Sequence, residues 1–540
     1  MKKYLWMSLA ALGFVACEKG IDNDNPQNGE MEKSYVAITL AATDITTRAT
    51  NGNPYEEGRD EERKVESAYV FFFKDGSAFP VAFDGTTSTN AGPNNYLEVN
   101  LTGNEEDMDN VSDVKDAVLV LQNYKGEYPD QIVAVLNWTP TKSSYTLENL
   151  KAQISDLGND TDGYVMSNAV YLDHAGQTID AVNLTIANIG KTEEDALANP
   201  VTIHVERVAA KVVFTAANNG KFDIDEEVNG QTVYAQIEGF ELFNDIEKSW
   251  LIKRIKPEWT DAELGFVNWN DPTWFRSYWA QSLGESYFGT ANNFDWEEND
   301  AALSGNTKGL NDYVYCGENT LNWTEKDVRT KVIVKAKLVD ASGNALEVVN
   351  WYGKNYIGEA NLKTVVANTL ANTYFYSTPK ADGGQTFTSI SAADIKCVER
   401  GSGSENAFEV YFQLEDVEAN VGVAKTWHKY EDGQYNAISN DVFNAELAAV
   451  QPALVYNDGM TYYYTNIKHL GAEGKTAQYG VVRNHIYKVN ISDIKGFGTP
   501  VYNGTTDFIT PEKPKDIVTY VSAQINILSW RIVAKDYPLN

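Results

Sequence analysis

Residues 518–535 read VTYVSAQINILSWRIVAK. Up to residue 527 the apolar side chains fall on odd positions (Val521, Ala523, Ile525, Ile527), and beyond it on even ones (Leu528, Trp530, Ile532, Ala534). Period-two alternation is the pattern of a β-strand with one buried face. The phase change at Ile527 and Leu528 predicts that the buried face switches there, as at a bulge or a crossing between two sheets. No partner hairpin follows this strand, so it either closes its own domain or is offered to another molecule.

Strand patterns recur along the chain, at residues 34–41 (SYVAITLA), 65–73 (VESAYVFFF, followed by the turn Lys74-Asp75-Gly76), 116–122 and 131–138 (QIVAVLNW). They continue at 165–172, 178–186, 201–213, 330–338 (TKVIVKAKL), 407–414, 460–466 and 484–491 (NHIYKVNI). Short helices fit three places: behind a Thr146 cap through Leu147, Leu150 and Ile154, at 193–198 before Pro200, and at 441–450. Residues 250–296 are rich in Trp, Asn and Asp with little periodicity and read as a long loop excursion. The class is an all-β sandwich with a few short helices. At 540 residues the chain exceeds one ordinary core, which predicts two domains with a boundary near 201–213.

The net charge is -32 with no basic block, which excludes a nucleic-acid partner, because phosphate binding needs clustered Lys and Arg. Hydrolase, metalloprotease and phosphate-loop motifs are absent from the sequence, and the five histidines are scattered. His204 and Glu206 share one strand face and read as surface neighbours; the adjacent acids Glu226-Glu227 and Glu297-Glu298 point to opposite faces. The reading is therefore a protein without catalytic residues, metal ligands or cofactor. The Trp-rich loops at 250–296 offer stacking surfaces for sugars, as in a monomeric glycan-binding lipoprotein, although core packing is the commoner use of Trp. Cys316 and Cys397 either pair or stay as buried free thiols, and spacing does not decide between them.

The chain begins with Lys2 and Lys3, an apolar run over 5–16, then Cys17. That run is too short to span a bilayer and suits a signal peptide over 1–16. Phe14-Val15-Ala16-Cys17 resembles a bacterial lipobox, in which the cysteine is lipidated. The polar stretch after it reads as a tether. Arg48 sits in a Thr-flanked segment before turn residues, accessible to a trypsin-like protease.

Together these pieces resemble the fimbrillins of Bacteroidales, subunits of the type V pilus, and among them the shaft subunit of the short fimbriae. The resemblance rests on the lipobox, the strand before Arg48, IVAVLNW at 132–138, VERVAAKV at 205–212, YCGENT at 315–320, VIVKAKL at 332–338, VRNHIYKVNISDIKGFGTP at 482–500 and the terminal SAQINILSWRIVAKDYPL. It implies two tandem transthyretin-like β-sandwich domains, at 49–200 and 201–540, after a lipidated propeptide at 17–48. It also implies cleavage after Arg48, leaving Ala49 as the mature N-terminus. Loss of the first strand, with Val36, Ile38 and Leu40, would then open a groove for the donor strand 518–535 of a neighbouring subunit. The implied partners are further copies of the chain, anchor and tip subunits, a trypsin-like maturation protease and, through the lipid, the outer membrane. The implied destination is a cell-surface fimbrium serving adhesion or biofilm formation.

Overall fold

The computed structural model describes residues 32–42, 55–81, 94–99, 115–123, 127–172, 177–255, 280–289, 309–322, 324–399, 409–415, 425–469, 473–474, 478–504 and 520–531. The first sheet is entered by β1 (Glu32–Ala42). The chain then visits another sheet through β2 (Tyr55–Glu57), makes a single turn, α1 (Asp60–Arg63), and returns as β3 (Ala68–Lys74). The first sheet is completed by β4 (Lys115–Asn123), β5 (Gln131–Leu136), β6 (Met166–Asn168), β7 (Ile189–Gly190), β8 (Val201–Arg207) and shorter strands. Its inner core gathers Val36, Ile38, Val70, Phe72, Leu119, Leu121, Ile132, Ala134, Ile203 and Val205.

β3 and β5 are covered on both faces, which explains their unbroken apolar runs. Val70 and Phe72 pack inward, while Phe71, Phe73, Val133 and Val135 pack on the other side with α2 (Leu147–Lys151). As expected, the Thr146 hydroxyl caps α2, accepting from the Asn149 N–H at 3.1 Å, but Ile154 opens a strand instead of extending the helix. The turn after β3 places Asp75 and Gly76 at φ 50° and 73°, the left-handed pair of a tight hairpin. α3 (Glu193–Leu197) is capped by Thr192.

The crossing to the next unit falls at Val208 and Ala209, not before residue 201, because β8 stays in the first sheet, pairing with β1 and β6. The single strand expected over 201–213 is thus two, β8 and then β9 (Ala210–Ala216). β9 opens a sandwich whose one sheet holds β2, β9, β12 (Tyr313–Cys316), β15 (His485–Lys495) and β16 (Tyr520–Arg531). The facing sheet holds β10 (Lys221–Val228), β11 (Gln231–Phe243), β13 (Lys331–Val339), β14 (Met460–Asn466) and a two-residue strand. Their shared core includes Val212, Phe214, Phe240, Val334, Tyr463, Tyr487, Val489, Ile491 and Ile494.

Between β13 and β14 the chain builds a third unit, so residues 201–540 hold more than the one sandwich expected. A five-stranded and a four-stranded sheet pack with α4 (Glu359–Leu370) and α5 (Asn440–Ala448) around Trp351, Leu362, Val366, Phe412, Trp427 and Phe443. α5 agrees with the pattern at 441–450, whereas α4 had not been expected. Cys316 lies in the second unit's core and Cys397 against the third unit's, and both are free thiols.

Candidate assembly site

β1 lies inside the first sheet with partners on both sides. It runs antiparallel to β4 from Glu32 opposite Asn123 to Leu40 opposite Lys115. On its other edge it meets β7 at Tyr35 and Val36, then runs parallel to β8 from Ile38 opposite Val201 to Ala42 opposite Val205. Val36 and Ile38 are fully buried among Leu119, Leu121, Ile203 and Val205. Burying an aliphatic side chain of this size contributes about 1.5–3 kcal/mol. Taking β1 away would therefore strip backbone partners from β4 and β8 and uncover the core between them. Leu40 holds a register position in the strand. Cys17, Arg48 and Ala49 lie outside the described residues.

The terminal strand β16 has a place in its own chain, between β15 and β2. Its antiparallel ladder with β15 sets Val521, Ala523, Ile525 and Ile527 opposite Ile494, Ile491, Val489 and Tyr487, all residues of the second core. Leu528 is opposite Ile486, which belongs instead to the core against the first unit. Along β15 the core thus changes between Tyr487 and Ile486, the partners of Ile527 and Leu528. The ladder's register break lies elsewhere, between Ile491 and Asp493. Trp530 pairs with Glu56 of β2, while Ile532 and Ala534 lie outside the described residues. Within one chain, then, the leading and terminal strands occupy different sheets.

The joint next to these strands is polar and buried, and sequence reasoning missed it. Glu62 of α1 accepts from Lys211 Nζ of β9 at 2.7 Å, from Arg59 Nε at 3.1 Å and from the Tyr315 hydroxyl of β12. Burial alone would raise the Glu62 carboxyl, but the hydrogen bonds from Lys211 and Tyr315 outweigh it and hold the group below its ordinary value. The Glu62 carbonyl accepts from Arg207 Nε and Nη2 at 2.9 and 2.7 Å, and Arg59 reaches Asp160 at 2.8 Å. One helical turn thereby fastens the first unit to the second.

A second cluster corrects the reading of Glu206 as a surface residue. It is fully buried, with Lys253 Nζ 2.9 Å from one carboxylate oxygen and donating to the other at 3.1 Å. Burial pushes Glu206 up to about 7 against the pull of Lys253 and Arg483. Arg483 in turn donates to Glu318 at 2.8 Å, also out of solvent. Nearby, His485 and His469 are buried with ring centroids 5.4 Å apart. Desolvation lowers His485 to about 4 and His469 well below its ordinary value. The available signal was charge inside VERVAAKVV, a run otherwise apolar enough to be covered on both faces.

Fold and site together define an all-β protein of packed sheets whose first sheet is completed by its own leading strand. Residues 454–536 match the family described as major fimbrial subunit protein type IV, fimbrillin, C-terminal, and over that region the chain is fimbrillin-like. Among solved structures it is similar to a fimbrilin from Porphyromonas gingivalis, at 12% identity over 93% of this chain and 98% of that one, TM-score 0.38. It is also similar to the tip fimbrial protein from Porphyromonas gingivalis with C-terminal truncation (11%, 92% and 100%, TM-score 0.32). A fimbrial assembly protein from Parabacteroides distasonis shares 14% over 71% of this chain and 97% of that one, TM-score 0.24. No curated protein sequence matches the chain.

Proposed function

We propose that the chain is a structural subunit of a surface fimbria, without enzymatic activity. In this reading it is exported as a lipoprotein on Cys17, cut after Arg48 and polymerised when a neighbour's terminal strand occupies the place of β1. The observation that carries the reading is the position of β1. It is paired on both edges, contributes Val36 and Ile38 to the core, and is joined to everything that follows it in the chain through the segment that contains Arg48. A groove with open backbone groups on both walls and an apolar floor suits strand addition. Head-to-tail exchange is heterologous, so it extends into a filament instead of closing a dimer. Anchor and tip subunits would end such a filament, and the precursor would wait in the outer membrane on its lipid.

This reading asks β16 to leave β15 and β2 before it can serve another copy, so the ladder within the chain is the barrier to assembly. The test is Arg48→Ala in cells making the fimbria. The variant should keep the longer precursor and give no ladder of polymers on mildly denaturing gels, whereas the surface form of the natural chain should begin at Ala49. Undiminished ladders from the variant would overturn the proposal.

A further inference from the structure

The four-stranded sheet of the third unit has one face committed to the core and one that faces outward. Its strands lie in the order Gln385–Ser389, Tyr374–Pro379, Thr426–Glu431 and Gln434–Ile438. Tyr374, Trp427 and Ile438 point inward, where Tyr374 stacks on Phe443 of α5 at 4.3 Å. By alternation, Phe375, Phe387, His428, Tyr430 and Tyr435 share the outward face. Their rings touch one another. Phe387 stacks on Tyr435 at 3.9 Å, Phe375 meets Tyr435 at 5.1 Å, and Tyr430 meets Tyr435 at 4.8 Å. Tyr430 and Tyr435 are 41% and 39% exposed.

We infer that this aromatic face is a binding site for a neutral carbohydrate. The first argument is charge. In a chain with 120 ionisable residues counted as Asp, Glu, Lys and Arg (76 acidic and 44 basic), none of the described strand positions on this face carries one. Such a face has no Lys or Arg to recognise an anionic ligand and no carboxylate to form an ion pair with a cation, whereas aromatic rings bearing hydroxyls match a sugar's apolar ring face and its polar rim.

The second argument is His428, which is 6% exposed and lies on the same face with the Phe387 ring 5.0 Å away, edge to face. Its Nε2 lies 2.9 Å from the Ser377 hydroxyl, and its Nδ1 is buried without a hydrogen-bond partner. A buried polar atom left unpaired costs free energy. A hydroxyl can both donate and accept, so a sugar hydroxyl satisfies this nitrogen in either tautomer once Phe387 turns aside.

The third argument is size. Four strands at about 4.8 Å spacing and five residues at about 3.4 Å rise give a face of roughly 14 by 17 Å. That is about a third of the roughly 800 Å² per partner that a stable protein pair needs; with Phe387 and Tyr435 stacked across it, the part left open at Tyr430 and Tyr435 suits one or two sugar rings.

The test uses the full uncut chain, so its outcome does not depend on polymerisation. Neutral tetrasaccharides of glucose, mannose, galactose and N-acetylglucosamine are titrated by calorimetry. At least one should bind, and Tyr430→Ala with Tyr435→Ala should weaken it by at least about tenfold. The Tyr430→Phe and Tyr435→Phe pair, which keeps both rings, should stay within about threefold. Should the double alanine variant lose its cooperative melt, Tyr430→Ala alone carries the same test on the more exposed ring. Absence of binding by the natural chain up to about 10 mM, or alanine variants within twofold of it, would overturn the inference. So would a chain that sediments as a dimer and becomes monomeric in the double alanine variant, because the face would then belong to a second copy.

Discussion

Tyr55 lies opposite Ser529 in a parallel ladder, so the first strand beyond the Arg48 segment grips the far end of the terminal strand. The short strand β2 and the terminal strand thereby share one sheet, with β2 at its edge. Three register pairs, from Tyr55–Ser529 to Glu57–Arg531, hold β16 on the side away from β15. Successive N–H groups of a strand point to opposite sides, so of Tyr55→Pro and Glu56→Pro one removes a donor aimed at β16. That variant should raise amide exchange at residues 529–531 by an order of magnitude or more, while residues 521–527, held by β15, keep their protection. Equal exchange in both variants and the natural chain would mean that β2 is no latch.

Ile38 gives the strength of the leading strand. It is fully buried between Ile203 on β8 and the apolar residues of β4. Ile38→Ala in the uncut chain should cost about 2–5 kcal/mol, the transfer loss plus the cavity left behind. The measurement is a urea midpoint on the precursor.

Deleting residues 521–540 now carries a sharper expectation than the sequence supported. On strand pattern alone, the shortened chain should fold normally and fail only to extend a filament. With β16 paired along β15, the deletion also uncovers the edge over Tyr487, Val489 and Ile491. The shortened chain should stay monomeric and melt earlier in its second unit, while the first sheet, around Val70 and Ile132, keeps its exchange protection. Uniform loss of protection across both units would contradict this.

The Glu206–Lys253 pair predicts an asymmetry between single and double replacement. Lys253→Met leaves the carboxylate buried beside Arg483 without its nearest cation and should cost about 3–5 kcal/mol. Lys253→Met with Glu206→Gln removes both charges and should recover most of that loss. A double-mutant cycle on denaturant unfolding measures it. Additive losses would show that the pair is not coupled.

Much of the strand content could be read from alternation, because residues such as Val332, Val334 and Ala336 face one core and period two survives in the sequence. The first unit's strands were legible for a different reason: covered on both faces, β3 and β5 show as plain apolar runs. The third unit was hidden. Its α4 follows Gly358, φ 83°, with no capping side chain, and shows only a short apolar stripe, Leu362, Val365, Val366 and Leu370, so no start signal marked the helix. The buried joint was hidden as well, because Glu62 and Glu206 look like surface acids until chain crossings separated by 149 and 47 residues bring Lys211 and Lys253 to them. The aromatic face escaped for a related reason: Phe387 and Tyr435 lie on opposite edge strands of one sheet, and only its fold brings their rings together.

His485 sets a pH dependence that can be isolated by subtraction. Burial takes it to about 4 from an ordinary 6.5, with the nearby Lys253 charge lowering it further and backbone contacts at Arg483 and Val482 opposing. Between those values the unfolded chain holds a proton that the folded chain lacks, so this residue's contribution is full above about 6.5 and is lost as pH falls toward 4. His469, lowered in the same direction, adds to it. Glu206, raised to about 7 from 4.5, works the other way: the folded chain binds the extra proton, and its contribution is lost as pH rises through 7. These three groups therefore give the natural chain a shallower slope than the two histidines together would give without Glu206. His485→Gln removes one titration and leaves the others. Unfolding free energies of the two proteins, measured from pH 6.5 down to 4, should converge by about 1.4 kcal/mol per pH unit. Parallel curves would mean that His485 is not held neutral by its burial beside His469 and β16.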